Sequence, residues 1–188
     1  MWKKEIRLAG SGGQGLGFAA MVLADAAIKA GLHVSTLQSY GPEARGGASR
    51  SDVTLSDEDI ANPWFSKPSV LLALNEKAWI KYGPQLGEED WVLVDSDWVN
   101  IPAGRTIFRL PLERIAKTEL REKLTTNMVA VGALGALVGH IPLSALMEAA
   151  RFRAPKGFGG INQDAVKRGW ELMEDLRGGV KDANARGA

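Results

Sequence analysis

The sequence predicts an open α/β sheet, mostly parallel and flanked by helices, folded as a single domain. Apolar stretches of strand length alternate along the chain with longer helical segments. Val70-Leu71-Leu72-Ala73-Leu74 and Trp91-Val92-Leu93-Val94-Asp95 are continuous apolar runs, as expected of strands buried on both faces. Gly10-Ser11-Gly12-Gly13-Gln14-Gly15 matches G-x-G-x-x-G between the apolar run Ile6-Arg7-Leu8-Ala9 and an Ala-rich segment from Phe18 to Ala30, the order strand, tight turn, helix.

The remaining elements follow in order. Gly31 closes the first helix, and His33-Val34-Ser35-Thr36-Leu37 alternates as a strand. A loop rich in turn formers runs from Gln38 to Ala48, and Arg50 to Leu55 is the next strand. After the run at 70–74, Glu76 to Tyr82 forms a short helix ended by Gly83-Pro84. Strands at Trp91–Asp95 and Thr106–Leu110 precede helices at about 113–123, 127–139, 143–153 and 162–177. In the second of these helices, Gly132, Ala133, Gly135, Ala136 and Gly139 leave a surface for close approach of a neighbour, first within the domain and otherwise from a partner. The domain spans 1–177; the glycine- and charge-rich tail 178–188 has no apolar periodicity and is expected to fray.

Composition excludes several classes. Lys and Arg number 23 against 22 acidic residues, so the formal charge of +1 points to neither nucleic acid nor a membrane surface as partner. The longest apolar stretch, Met128 to Val138, is broken by Gly132 and Gly135 and falls well short of a membrane span. Met1-Trp2-Lys3-Lys4-Glu5 leads straight into the first strand with no secretory segment, so a cytoplasmic protein is expected. There is no cysteine, which removes iron–sulfur ligation, thiolate zinc sites and thiol nucleophiles, and any electron-transfer centre must lie elsewhere.

The glycine turn is the main candidate site. Residues without a Cβ let a strand turn sharply into a helix, whose first N–H groups then point at whatever sits over the turn. A nicotinamide-binding domain would end its second strand on an acidic residue for the ribose, whereas Gln38 and Ser39 stand here and Glu43 follows only inside the loop. Three readings stay open: a phosphate or other anion, a dinucleotide, and a turn that serves packing alone. The loop Ser39-Tyr40-Gly41-Pro42-Glu43-Ala44-Arg45-Gly46-Gly47 leaves a strand expected to end beside that turn, so Arg45 is either a phosphate or carboxylate clamp or a surface partner of Glu43. Asp95-Ser96-Asp97 reads first as capping, and otherwise as an acid, a base or two magnesium ligands. The basic turn from Arg151 to Gly157 is either a solvated helix end or a contact for an acidic partner. His33 and His140 share no ligand spacing and read as structural, while Trp64, Phe65 and Trp98 are either interface anchors or buried aromatics.

Taken together, Arg7 to Gly15, the loop Gln38 to Gly47, the strand–turn Val92-Leu93-Val94-Asp95-Ser96 and the segment Thr126 to Leu134 resemble the gamma subunit of 2-oxoacid:ferredoxin oxidoreductases, over about residues 4–175. The form G-x-G-G-Q-G followed by S-Y-G-P-E-A-R-G-G is similar above all to the 2-oxoglutarate and branched-chain 2-oxoacid types. The resemblance implies a Rossmann-like subunit with no catalytic or metal-binding residues of its own and no activity alone. It implies alpha and beta partners holding thiamine diphosphate and magnesium, with iron–sulfur clusters on beta or on a ferredoxin-like delta subunit. Such a complex decarboxylates a 2-oxoacid, passes two electrons to ferredoxin and transfers the acyl group to coenzyme A, with gamma on the coenzyme A side. The ligand-binding residues expected on this chain are then Gly10, Gly12, Gly13, Gln14, Gly15, Ser39, Tyr40, Arg45, Gly46 and Gly47. A free-standing nicotinamide or flavin oxidoreductase and a purely structural subunit are the competing expectations.

Overall fold

β1 (Lys3–Ser11) lies at the centre of a six-stranded sheet, in the order β2-β3-β1-β4-β5-β6. The computed structural model describes residues 1–38, 48–102 and 106–185, with side chains through 178. The other strands are β2 (His33–Gln38), β3 (Ala48–Ser56), β4 (Val70–Ala73), β5 (Trp91–Asp95) and β6 (Ile107–Leu110). β1, β4, β5 and β6 pair in parallel, while β3 is antiparallel to both β1 and β2 and so alone runs against the rest.

This arrangement corrects one expectation. The strand beside the glycine turn is β3, whose first residue Ala48 pairs with Ser11, and β2 lies one place further out with Gln38 opposite Ser51. The reason is the length of the connection. A parallel partner needs a crossover of a dozen or more residues, and the link 39–47 is too short, so β3 must fold back on β2.

Alternation along β1 assigns its two faces. Ile6 and Leu8 enter the larger core, which α1 (Leu16–Lys29), α3 (Leu112–Thr118), α4 (Thr126–Val138), α5 (Leu143–Arg153) and α6 (Gly159–Ala185) cover. Ala9 faces a smaller core closed by α2 (Glu76–Tyr82), Val99 and Ile101. Arg7 is on this second face, fully buried, and its guanidinium donates to both Asp52 carboxylate oxygens at 2.8 Å.

Every residue of α4 from Asn127 to Val138 is buried, which makes it the central helix of its layer. Its glycines meet α6 inside the domain, as expected: a Cβ on Gly132 would lie 1.9 Å from the Val166 carbonyl oxygen. Gly139 has a different task from the packing surface expected of it, because it ends α4 in the left-handed conformation at φ 78°.

Two helix ends differ from expectation. α3 stops at Thr118 because Arg121 turns left-handed (φ 57°) and the N–H groups of Leu120 and Glu122 fold back onto the Ile115 and Ala116 carbonyls. α6 begins at Gly159 and stays helical to Ala185, so its backbone crosses much of the tail expected to fray. Gly178 and Gly179 each weaken a helix by about 1 kcal/mol, yet no proline follows to stop it.

Candidate functional site

The turn after β1 is built from strained positions and side-chain locks. Gly13 (φ 85°) and Gly15 (φ 70°) both take the left-handed region, and Gly15 is the N-cap of α1. Gln14 folds back so that its Oε1 accepts from the Ser11 N–H at 2.6 Å, filling the space where a Cβ on Gly10 would sit. Asn75, the N-cap of α2, donates from Nδ2 to Ser11 Oγ at 2.9 Å and Gln14 Oε1 at 3.2 Å, while its Oδ1 accepts from Ala78 N–H. From the opposite side Asn127, in the first turn of α4, donates from Nδ2 to the Gly15 carbonyl at 3.2 Å. Among the described residues no side chain caps α1, so its leading N–H groups are open towards the space over the turn.

A cavity of about 370 Å³ opens over this turn. It lies at the carboxyl ends of β1 and β4, where the connections diverge to opposite halves of the sheet, the place where open α/β sheets bind ligands. Gly13, Gln14 and Gly15 line it, while Gly10 and Gly12 shape the turn beneath. Ser39, Tyr40, Arg45, Gly46 and Gly47 lie outside the described residues. Both ends of their loop nevertheless flank the turn: Ala48 pairs with Ser11, and a Cβ on Gly17 would come within 3.2 Å of the Gln38 carboxamide.

Sequence reasoning missed Glu113, Lys123, Asn127 and Asn162, which line the same cavity from the far side. A lone polar Asn at the head of the uniformly apolar stretch 128–138 was the available signal for Asn127; the others are assembled only by the fold.

Glu113 is nearly buried, with Lys117 Nζ beside its Oε1 and Lys123 Nζ 3.5 Å away. The two ammoniums donate to this carboxylate and neutralise it within the chain. Desolvation pushes this carboxyl up, but the two lysines outweigh it and hold it below the usual carboxylate range. Arg168 similarly holds Glu119 low through a 2.6 Å hydrogen bond that ties the end of α3 to α6. Groups lowered in the fold bind fewer protons than the unfolded chain in acid, so stability should fall as pH drops through the carboxylate range. Urea midpoints measured from about pH 6 to about pH 3 should therefore decline, and Glu113→Gln should flatten the slope.

Asp95 is explained by capping. Its Oδ2 accepts from Glu113 N–H at 2.8 Å at the start of α3, and its Oδ1 accepts from Asp97 N–H at 3.1 Å. Burial pushes its carboxyl above the usual range, against the pull of these two N–H groups. Among the described residues no three His, Asp or Glu side chains converge as a metal site. The two histidines are engaged locally: His33 Nδ1 is 3.0 Å from Asp59, and His140 stacks on Trp2 with centroids 3.9 Å apart. Of the basic turn, Arg153 is bound to Asp25 of α1 through Nε and, at 3.0 Å, Nη2. Ala48 and Ser49 stand beside the glycine turn and Gln38 ends β2 one strand further out, while Glu43, the acid a dinucleotide ribose would need, lies outside the described residues.

The family model for pyruvate ferredoxin/flavodoxin oxidoreductases matches residues 5–172. The chain belongs to this family. It is 38% identical over 179 residues to the 2-oxoglutarate synthase subunit KorC of Methanocaldococcus jannaschii, covering 93% of this chain and 96% of that one. The KorC subunit of Archaeoglobus fulgidus is 44% identical over 137 residues, covering 73% and 72%. Among solved structures, the keto/oxoacid ferredoxin oxidoreductase gamma subunit of Geobacter sulfurreducens superposes with a TM-score of 0.81 at 38% identity, covering 92% of this chain and 99% of that one. The 2-oxoglutarate:ferredoxin oxidoreductase of Magnetococcus marinus, solved with 2-oxoglutarate, coenzyme A and succinyl-CoA, shares the fold at a TM-score of 0.80 and 24% identity, over 93% of this chain and 32% of that one. This family member is thus a gamma-type subunit of a multi-subunit 2-oxoacid:ferredoxin oxidoreductase. Among the described residues, no helix of this oxidoreductase subunit is long and apolar enough to cross a membrane.

Proposed function

We propose that this subunit forms one wall of the coenzyme A site of a thiamine diphosphate-dependent 2-oxoacid:ferredoxin oxidoreductase, packed on the alpha and beta subunits that carry out the decarboxylation. The observation that carries the reading is the convergence of the uncapped N-terminus of α1 and of Lys123 on one cavity at the switch point of the sheet. Helix N–H groups and an ammonium suit a pyrophosphate, and the loop bearing Arg45 starts and ends beside them. The Magnetococcus enzyme, whose fold this chain shares, holds coenzyme A and succinyl-CoA. With no cysteine, this chain has no thiolate for an iron–sulfur cluster, so the electrons leaving the 2-oxoacid for ferredoxin travel through partner subunits. Trp64 and Trp98, 69% and 52% exposed, are available as anchors for those partners.

Steady-state kinetics of the reconstituted complex test the reading. Arg45→Ala and Lys123→Ala should each raise the apparent KM for coenzyme A about tenfold, as expected for losing one charge-assisted contact, with the KM for the 2-oxoacid unchanged. An unchanged coenzyme A KM in both would leave gamma a bracing subunit only.

A further inference from the structure

The register of β4 on β1 brings Asn75 to the glycine turn. Ala73 pairs with Ala9 in parallel and the Leu74 N–H donates to the Ala9 carbonyl at 3.0 Å, so Asn75 arrives level with Ser11, where the β1–β4 ladder has ended. Here the two connections part. α1 packs into the larger core and α2 into the smaller one, on the other face of the sheet. The Asn75 carboxamide joins them: Nδ2 donates to both Ser11 Oγ and Gln14 Oε1, while Oδ1 caps α2 through the Ala78 N–H.

On the turn's side that contact meets a closed ring. The Gln14 N–H donates to the Ser11 carbonyl at 3.3 Å, as the fourth residue of a β-turn does, and the Gln14 side chain returns the bond by accepting from the Ser11 N–H. Gly13, third in that turn, takes φ 85°, and Gln14 Oε1 occupies the place of a Cβ on Gly10. Gln14 Oε1 therefore takes two donors, the Ser11 N–H and Asn75 Nδ2, which engages both of its lone pairs. Asn75 does not line the cavity, whereas Gly13, Gln14 and Gly15 do. A turn held in one conformation before a ligand arrives spends no binding energy on ordering itself.

We propose that Asn75 is a positioning residue: acting through Gln14 and Ser11, it clasps the glycine turn in the conformation that presents the first N–H groups of α1. The kinetic effect of the clasp rests on the coenzyme A reading above; the clasp itself is a property of the ligand-free chain.

Asn75→Ser tests it, because serine is as good an N-cap for α2 but too short to reach the turn. In the ligand-free full chain, exchange of the Ser11 amide hydrogen should quicken on the order of tenfold as the turn opens locally, while the melting temperature stays near that of the wild type. In the reconstituted complex, the apparent KM for coenzyme A should rise about fivefold, the size of one neutral hydrogen bond, with kcat and the KM for the 2-oxoacid unchanged. Gln14→Met removes the same clasp from its other end, so the double variant should be no worse than the more impaired single variant. Ser11 exchange that Asn75→Ser leaves unchanged, or losses that multiply in the double variant, overturn the inference. A coenzyme A KM that Lys123→Ala raises and Asn75→Ser does not overturns the positioning role and spares the coenzyme A reading. A KM unmoved by Arg45→Ala, Lys123→Ala and Asn75→Ser alike removes that reading and the kinetic role with it, whatever the Ser11 amide shows.

Discussion

Asp52→Ala is expected to lower the unfolding free energy by about 3–5 kcal/mol, on the order of 10 °C in melting temperature for a chain of this size. Arg7 has no exposed surface, and Asp52 pairs with it directly across β1 and β3. Both carboxylate oxygens accept from the guanidinium at 2.8 Å, while Phe65 and Tyr82 lie 5.4 and 5.1 Å from its carbon. Removing the carboxylate strands a positive charge inside the smaller core, where water cannot replace the lost partner. The remaining contacts, to the Ser66 carbonyl at 3.4 Å and Gln85 Oε1 at 3.2 Å, are too few and too long to compensate. Replacing both residues with apolar ones should behave differently: Arg7→Met with Asp52→Leu removes the charge and its partner together, and its loss should be well under that of Asp52→Ala. Chemical unfolding of the two variants checks this, and a double variant as unstable as the single one would show that the ion pair does more than satisfy itself.

Much of this fold was legible in the sequence because it rests on local patterns. Continuous apolar runs at 70–74 and 91–95 became the parallel strands β4 and β5, and the glycine turn lies at a strand–helix junction with Gly13 and Gly15 left-handed. The position of β3 was not foreseen, because strand order depends on which connection is too short to cross over, and element type alone does not carry that. The candidate site divides in the same way. Its near wall is contiguous in sequence from Gly10 to Gly15, so a motif could mark it. Its far wall comes from Glu113, Lys123, Asn127 and Asn162, about a hundred residues or more further along, on segments that look like ordinary helix starts and a 3-10 turn. Asn162 in particular has no local sign of function. It is distinguished only by its buried place on the cavity wall, which is a property of the assembled fold.

Gly169→Ala is expected to destabilise the protein by about 3 kcal/mol, the upper part of the range for overpacking, although alanine is the better helix former. The methyl group would sit 1.8 Å from the Val129 carbonyl oxygen and 2.7 Å from its carbon. Both are backbone atoms, so no rotamer change relieves the clash, and α4 and α6 must move apart. The contact is reciprocal: Gly132 on α4 stands equally close to the Val166 carbonyl on α6, so the two helices touch backbone to backbone at two successive points. Gly178 on the same helix has nothing within 4 Å of a Cβ position, and Gly178→Ala should leave stability unchanged or raise it by up to about 1 kcal/mol. Thermal unfolding of the pair separates packing from helix propensity, since propensity alone predicts a gain at both positions. The same displacement bears on the site, because Asn127 heads α4 and Asn162 heads α6. Gly169→Ala should therefore weaken binding in the cavity as well as the fold, and any variant that restores the melting temperature without restoring the α4–α6 spacing should remain impaired in binding.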